Sequence, residues 1–410
     1  MRVLRTFSRL FVGIVFLFSG FVKAVDPLGS TYKFIDYFEA FHLGFMEPLA
    51  FPLAILLGGA ELLIGFCLFT RLRMQLASWL VLIFMAIFTP ITLVLAINNP
   101  VTDCGCFGDA IILTNWQTFW KNIILLLFTL VVFLQRKNYK KQFESFVEWM
   151  LATSFFLLTV AFSVYCHQHL PVLDFRPYKI GVNIPEGMAI PDDAEPNVYE
   201  TILVYEKEGI QKEFTEENYP WQDTTWKWVE TKSVLIKKGY EPPIHDFSIT
   251  SLEGFEITDE FLQYQGNSFL IVAYDMINAN YTAFAELNEI ALAADERNIP
   301  VYCLTSSTVE EINEVKSEIP LAFDVYTADE ITLKTIVRAN PGLLMLNDAT
   351  ITGKWHYNDL PEPEIIRESN LLSFGIMELH ENRDKALIYM LIFLFLFVVV
   401  WIKNLLSRSK

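Results

Sequence analysis

Six stretches of the chain are apolar runs of the length a helix needs to cross a bilayer core, roughly 20 residues for about 30 Å. They fall at 7–25, 51–69, 75–97, 117–134, 149–166 and 386–402. Between the last two the pattern changes. Thr201–Glu206 and Ile210–Phe214 flank Lys207-Glu208-Gly209, which predicts a hairpin. Trp226–Val234 alternates bulky and polar side chains, so 170–241 reads as β-rich. After Pro242-Pro243, apolar runs fit for buried strands (Ser268–Tyr274, Ile299–Leu304) alternate with helical spacing over Ala283–Ala294 and Val309–Ser317. Leu343–Leu346 and Ile351–Trp355 read as a closing hairpin turning at Asp348-Ala349. Strands alternating with helices predict an α/β layer on a central sheet.

Charge adds an orientation. Arg2, Arg5 and Arg9, then Arg71 and Arg73, then Arg136, Lys137, Lys140 and Lys141, then Lys403, Arg408 and Lys410 all fall on one side if every run spans. Basic short loops stay cytoplasmic. Both termini are therefore expected inside, with 26–50, 98–116 and 167–385 outside. Residues 167–385 hold 39 Asp and Glu against 16 Lys and Arg. So acidic a region is poorly suited to nucleic acid, and the expected surroundings are a lipid bilayer and extracytoplasmic proteins. The first run also fits a cleaved signal peptide ending near Val22-Lys23-Ala24, which leaves the rest of the topology unchanged. Short loops make the first four runs antiparallel neighbours, an economical four-helix bundle. Gly58, Gly59, Ala60 and Gly65 permit close packing there.

Candidate chemistry centres on Cys104-Gly105-Cys106 in an outer loop, where disulfides persist. Thiols one residue apart can close a small strained ring suited to exchange; the alternatives are a structural disulfide or a reduced pair. Asp103 opposes a lowered thiol pKa. Cys166, at the outer end of the fifth run, could resolve a mixed disulfide. His167 and His169 with Cys104 and Cys106 offer zinc or copper ligands, or are polar residues at the membrane interface. Cys67 and Cys303 read as small buried hydrophobes. Glu61, near the middle of the second run, must face the bundle interior, because a membrane-buried carboxylate costs about 2.5–3.5 kcal/mol. It serves either as a proton relay or quinone contact, or as a hydrogen-bonded link between helices. Lys23 is expected to pair with Asp26 or to reach the interface.

Two resemblances follow. Phe18-Ser19-Gly20-Phe21-Val22-Lys23-Ala24-Val25-Asp26-Pro27, Glu61 within Gly59–Gly65, and Asp103-Cys104-Gly105-Cys106-Phe107-Gly108 resemble, in order, the motifs of the DoxX/MauE family of four-helix membrane proteins, whose MauE branch is linked to methylamine utilisation. The likeness covers roughly residues 5–135. It implies a bacterial cytoplasmic membrane and a redox or protein-maturation role. Residues 242–366 resemble the thioredoxin-like fold of TlpA-type tethered proteins. Pro243–Ile249 is similar to that fold's entry strand, and Ala339-Asn340-Pro341-Gly342 to its cis-proline loop, with Pro341 in the proline position. The cysteine motif expected after the first buried strand is replaced by Asp275-Met276-Ile277-Asn278.

The expected organisation is a membrane α-helical bundle with a thioredoxin-like extracytoplasmic domain. Its parts are a DoxX/MauE-like unit (1–140), a connector and fifth span (141–169), a β-rich insert (170–241), the thioredoxin-like domain (242–378) and a last span (386–403). Two functions compete. One is a thiol-disulfide oxidoreductase using Cys104 and Cys106, coupled to a quinone. The other is a non-enzymatic assembly module that binds clients near Pro341. Extracytoplasmic zinc or copper binding is a further alternative. No phosphate-binding glycine loop, nucleophile elbow or zinc-protease motif occurs in the sequence.

Overall fold

Five of the six apolar runs are helices long and apolar enough to cross a membrane, in a computed structural model that describes residues 2–368 other than 102, 197, 216, 217 and 238. The sixth predicted span, 386–402, lies outside the described residues. The helices are α1 (Arg2–Val25), then a shorter α2 (Pro27–Ala40), α3 (Ala50–Thr70), α4 (Met74–Asn98), α5 (Asn115–Leu134) and α6 (Ser145–Gln168). The chain is thus a multi-pass membrane protein.

Helix α2 occupies what the hydropathy pattern left as a loop. Its signal is local: Asp26 caps it by accepting from the Gly29 N–H at 2.8 Å, and Pro27 sits in the first turn, where its missing N–H costs nothing. Helix α5 starts on a capping box between Thr114 and Gln117. Helices α1 and α3 pack most extensively, and glycines set how closely. A Cβ on Gly20 would lie 2.8 Å from the Gly58 carbonyl oxygen, and one on Gly65 would lie 2.9 Å from that of Gly13. The seven-residue spacing on both helices keeps backbone against backbone along the crossing. Helix α4 packs on α5, and α6 covers the outside of α3 and α1.

After α6 come the short helix α7 (Ile184–Met188) and a three-stranded antiparallel sheet of β1 (Val198–Lys207), β2 (Ile210–Thr215) and β3 (Lys227–Lys237), with β1 in the middle. Lys207 pairs with Ile210 across Glu208 and Gly209, both at positive φ, as a tight hairpin requires.

A second sheet is built from β4 (Asn267–Val272), β5 (Val301–Thr305), β6 (Asp324–Thr327), β7 (Gly342–Asn347) and β8 (Thr350–His356), in the order β6-β5-β4-β7-β8. Strands β4, β5 and β6 run parallel, β7 is antiparallel to β4, and β8 is antiparallel to β7 and so runs with the other three. Helices α8 (Thr258–Gln263), α9 (Tyr281–Asp295), α10 (Val309–Glu318), α11 (Glu330–Ile336) and α12 (Pro363–Glu368) accompany it. The run in β4 is continuously apolar because both its faces are covered. Phe269 and Ile271 pack into the core with Phe284 and Leu287 of α9, while Leu270 and Val272 join Ile249, Leu333 and Leu344 on the other face. The segment 243–249, expected as an entry strand, is not one. It buries Ile244, Phe247 and Ile249 but joins no ladder, making only a bridge at Thr250. Apolar alternation there reflects docking onto the core rather than strand pairing.

Candidate functional site

The loop between α4 and α5 carries Cys104 and Cys106 over the ends of α1 and α2. Gly105 takes φ +63°, so the loop reverses between the two cysteines and brings their Sγ atoms to 2.9 Å; both are free thiols. The reversal is held from three sides. Asp103 accepts from the Gly105 N–H at 2.8 Å and from Lys33 Nζ of α2 at 2.8 Å. Tyr37, one turn further along α2, donates its hydroxyl to the Cys104 carbonyl at 2.6 Å. From α1, Lys23 Nζ donates to the Cys106 carbonyl at 2.7 Å.

Lys23 also forms a buried ion pair with Glu61 of α3 at 2.9 Å. Ser19, one helical turn before Lys23, accepts from Lys23 at 2.8 Å. Its single hydrogen has two acceptors at 2.7 Å, Glu61 Oε2 and the Cys106 carbonyl. The expected pairing of Lys23 with Asp26 does not occur. Lys23 turns inward to the only carboxylate on the facing stretch of α3, and Asp26 is taken by Arg338.

These groups line a cavity of about 280 Å³ between α1, α2, α3, α4 and α5. Its walls are otherwise apolar, including Phe16, Phe38, Phe84, Phe88, Ile91 and Leu95, with Asn122 and Lys121 at one side. Lys121 Nζ sits 4.5 Å from the Phe107 ring centre. The thiols do not ionise independently. The hydrogen bond from Cys104 brings Cys106 down to about 6, opposed by burial and helped by Lys121 and Lys23. The same hydrogen bond, with burial, pushes Cys104 up. Once one proton is lost, the other is shared between the two sulfurs, which favours the first ionisation over the second.

The second sheet is seated against this site through Arg338, which lies just before the Asn340–Pro341 cis peptide bond. Its guanidinium grips Asp26 at 3.0 Å and Asp109, three residues beyond Cys106, at 3.0 Å. Tyr274 at the end of β4 meets Tyr32 of α2 hydroxyl to hydroxyl at 3.3 Å, and Lys334 lies over both rings. Burial would strip the Arg338 proton, but Asp26 and Asp109 hold it, so its pKa is raised. A second buried cluster, Asp174 with Arg176 at 2.7 Å and Lys354 at 2.8 Å, ties the segment after α6 to β8.

Residues 1–135 match the family model of the methylamine utilisation protein MauE, and residues 199–238 match that of a domain of unknown function, DUF8463. Residues 1–135 are a MauE-type membrane region. No curated protein and no solved structure matches the chain.

The MauE-type region holds four of the predicted site residues together: Cys104, Cys106, Glu61 and Lys23 all line one cavity. Cys166 does not line it. It is buried at the end of α6, beside the Val172 backbone, and makes no described contact with the other two thiols. Among the described residues no three His, Cys, Asp or Glu gather to hold a metal. His169 pairs with Asp359 at 2.7 Å, and His167 packs on Phe51 with its Nδ1 buried and unpaired, so neither histidine is directed at the thiols. Cys67 and Cys303 are buried, as expected of small hydrophobes, in α3 and β5.

Sequence reasoning missed Ser19, Lys33, Tyr37, Asp109, Lys121 and Arg338. Three of them had a signal. Ser19 and Lys23 are four residues apart and so share a helix face, and α2, once recognised from its Asp26-Pro27 start, places Lys33 and Tyr37 four apart on another. Asp109 and Arg338 are 229 residues apart, and nothing local announces their pairing.

Proposed function

We propose that the chain is a membrane thiol-disulfide oxidoreductase of the extracytoplasmic face, with both termini cytoplasmic, serving the maturation of exported proteins. The observation that carries this reading is a close thiol pair at the wall of an apolar cavity inside the membrane bundle. In the oxidising direction a client thiolate attacks the Cys104 sulfur of the Cys104–Cys106 disulfide. Cys106 leaves, being the sulfur with the lower pKa. The client's second thiol then displaces Cys104, which leaves an oxidised client and a reduced pair. That pair returns two electrons and two protons to a quinone, giving quinol and the disulfide again. A cavity of about 280 Å³ accommodates a quinone ring but not its whole tail, near the lower end of ligand pockets at roughly 300 Å³. Glu61 and Lys23, on the cavity wall, would exchange its protons, with Lys23 Nζ giving up one of its present acceptors to reach a quinone oxygen.

The matched family's description names methylamine utilisation, and the likeness to the DoxX/MauE motifs implies a redox or protein-maturation role. The mixed sheet with the cis-Pro341 loop supports a thioredoxin-like reading of residues 242–368, with residues 275–278 in the place of its usual cysteines.

The test is the redox state of Cys104 and Cys106 in cells, read by alkylation and mass shift with and without depletion of membrane quinone. A pair that cycles, and moves toward the reduced form on depletion, is the expected result. A pair fixed in one state under both conditions rejects the reading. It would favour the second one, a non-enzymatic assembly module, which the absence of cysteine from residues 275–278 favours.

A further inference from the structure

The end of the bundle away from the thiols has a cleft of its own, about 640 Å³ in volume, with no Asp or Glu in its lining. Its charged groups are Arg2, Arg5 and Arg9 of α1 and Arg71, which follows α3. Arg5 lies about 27 Å along α1 from Lys23, at 1.5 Å per residue, so this cleft is separate from the thiol cavity.

The partners these arginines have are neutral. Arg9, buried, donates to the exposed-end carbonyls of α3 at Leu68 and Phe69. Arg5 donates to the Asn138 carbonyl at 3.2 Å and stacks over Tyr139, while its Nε is buried with no hydrogen-bond partner. With the Gln142 amide turned so that it satisfies its neighbours, its oxygen accepts from Arg71 Nε at 2.8 Å. Four guanidinium groups around one cleft repel one another, and neutral acceptors do not cancel that charge. An anion would. The fork of a guanidinium matches phosphate oxygens two at a time.

The rest of the lining decides which phosphate. Phe69, Leu72, Phe143 and Leu151 form an apolar wall below the arginines, at the ends of membrane-spanning helices where lipid headgroups lie. We infer that this cleft binds the phosphodiester of an anionic phospholipid, with the arginines on the phosphate and the apolar wall against the first part of an acyl chain. A soluble phosphate would use the same arginines but not the wall.

The experiment takes the full-length protein in a neutral detergent. Retained lipid is read by native mass spectrometry, and the melting midpoint is followed on adding phosphatidylglycerol, phosphatidylcholine or inorganic phosphate. Phosphatidylglycerol should be retained and should raise the midpoint, with the other two having little effect. Arg2→Gln with Arg5→Gln should weaken retention by about fivefold for each arginine removed, and the Cys104–Cys106 redox state should not move. Arg5→Lys, which keeps the charge and loses the fork, should fall between. If the double variant aggregates, Arg2→Gln alone, at an exposed position, gives the same reading. Equal retention of both lipids, retention unchanged in the variants, or stabilisation by inorganic phosphate that matches phosphatidylglycerol overturns the inference.

Discussion

Lys23 and Glu61 make a buried ion pair, and the two roles open to such a pair separate in a double replacement. Glu61 is 5 % exposed and Lys23 6 %. Removing one member leaves the other charge stranded in the bundle, which costs about 3–5 kcal/mol, whereas replacing both by apolar residues of similar volume is roughly neutral. Lys23→Met and Glu61→Leu should therefore each lower the stability of the purified protein by about 3–5 kcal/mol, read by denaturant unfolding in detergent. The double variant should recover most of the loss. Redox cycling should not recover with it. Lys23 holds the Cys106 carbonyl at 2.7 Å, and the pair faces the cavity beside the thiols. A hydrogen bond to a charged group is worth about 1.5–3 kcal/mol, so loss of one such contact in the rate-limiting transfer slows re-oxidation of the thiols by roughly ten- to a hundredfold. The assay is single-turnover re-oxidation by a membrane quinone, quenched with an alkylating agent. A double variant that is as stable as the parent and re-oxidises at the parent's rate would mean that the ion pair only joins α1 to α3.

Two further outcomes are expected. The reduced pair should be alkylated by iodoacetamide with a rate that climbs through about pH 6, the position of Cys106, rather than through the ordinary thiol range near 8.5; Cys104→Ala removes the supporting hydrogen bond and should move the midpoint upward, and a parent midpoint at or above 8 would defeat the assignment. Arg338→Met strips the shared cation from Asp26 and Asp109, with an expected loss of about 3 kcal/mol, the low end for a broken pair because Asp109 is partly exposed; hydrogen exchange should rise at 26–33 and 103–110 while the second sheet's core stays protected, and unchanged exchange in both segments would show that the contact does not hold the loop.

The five membrane helices were legible because hydropathy over some 20 residues is a strong, local signal. The hairpins at Glu208-Gly209 and Asp348-Ala349 were legible because turn chemistry is local too. What escaped was short or distant. Strand β6 is four residues at a sheet edge, too brief for its alternation to register. Helix α11 is seven residues, announced only by Asp329 accepting from the Thr332 N–H. At the site, Cys104-Gly105-Cys106 and Glu61 stood out because such residues are rare in a membrane segment or its loops. Their joining to Lys23 depends on the register of α1 against α3, which the glycines at 13, 20, 58 and 65 set. No periodicity reports a register between two helices separated by a loop.

The second sheet lacks cysteines where it faces the bundle, yet its contacts converge on the loop that has them. Arg338 reaches Asp109, just past Cys106. Tyr274 reaches Tyr32, whose neighbour Lys33 holds Asp103, just before Cys104. The thiol loop is thus fixed at both ends by groups that depend on how the sheet is seated, while its middle rests on α1 through Lys23. Arg338 and Lys334 lie in the approach to cis-Pro341, so anything that binds beside that proline competes with, or pulls on, the same contacts. A domain without redox groups can then still govern the chemistry. If a client docks beside Pro341 and draws Arg338 away, Asp109 loses its cation and the loop end past Cys106 is freed, which gives the leaving Cys106 sulfur room to move off Cys104. In that arrangement recognition by the sheet and reaction in the bundle are linked through one guanidinium, and the Arg338→Met variant should lose the dependence of exchange on client identity before it loses exchange itself.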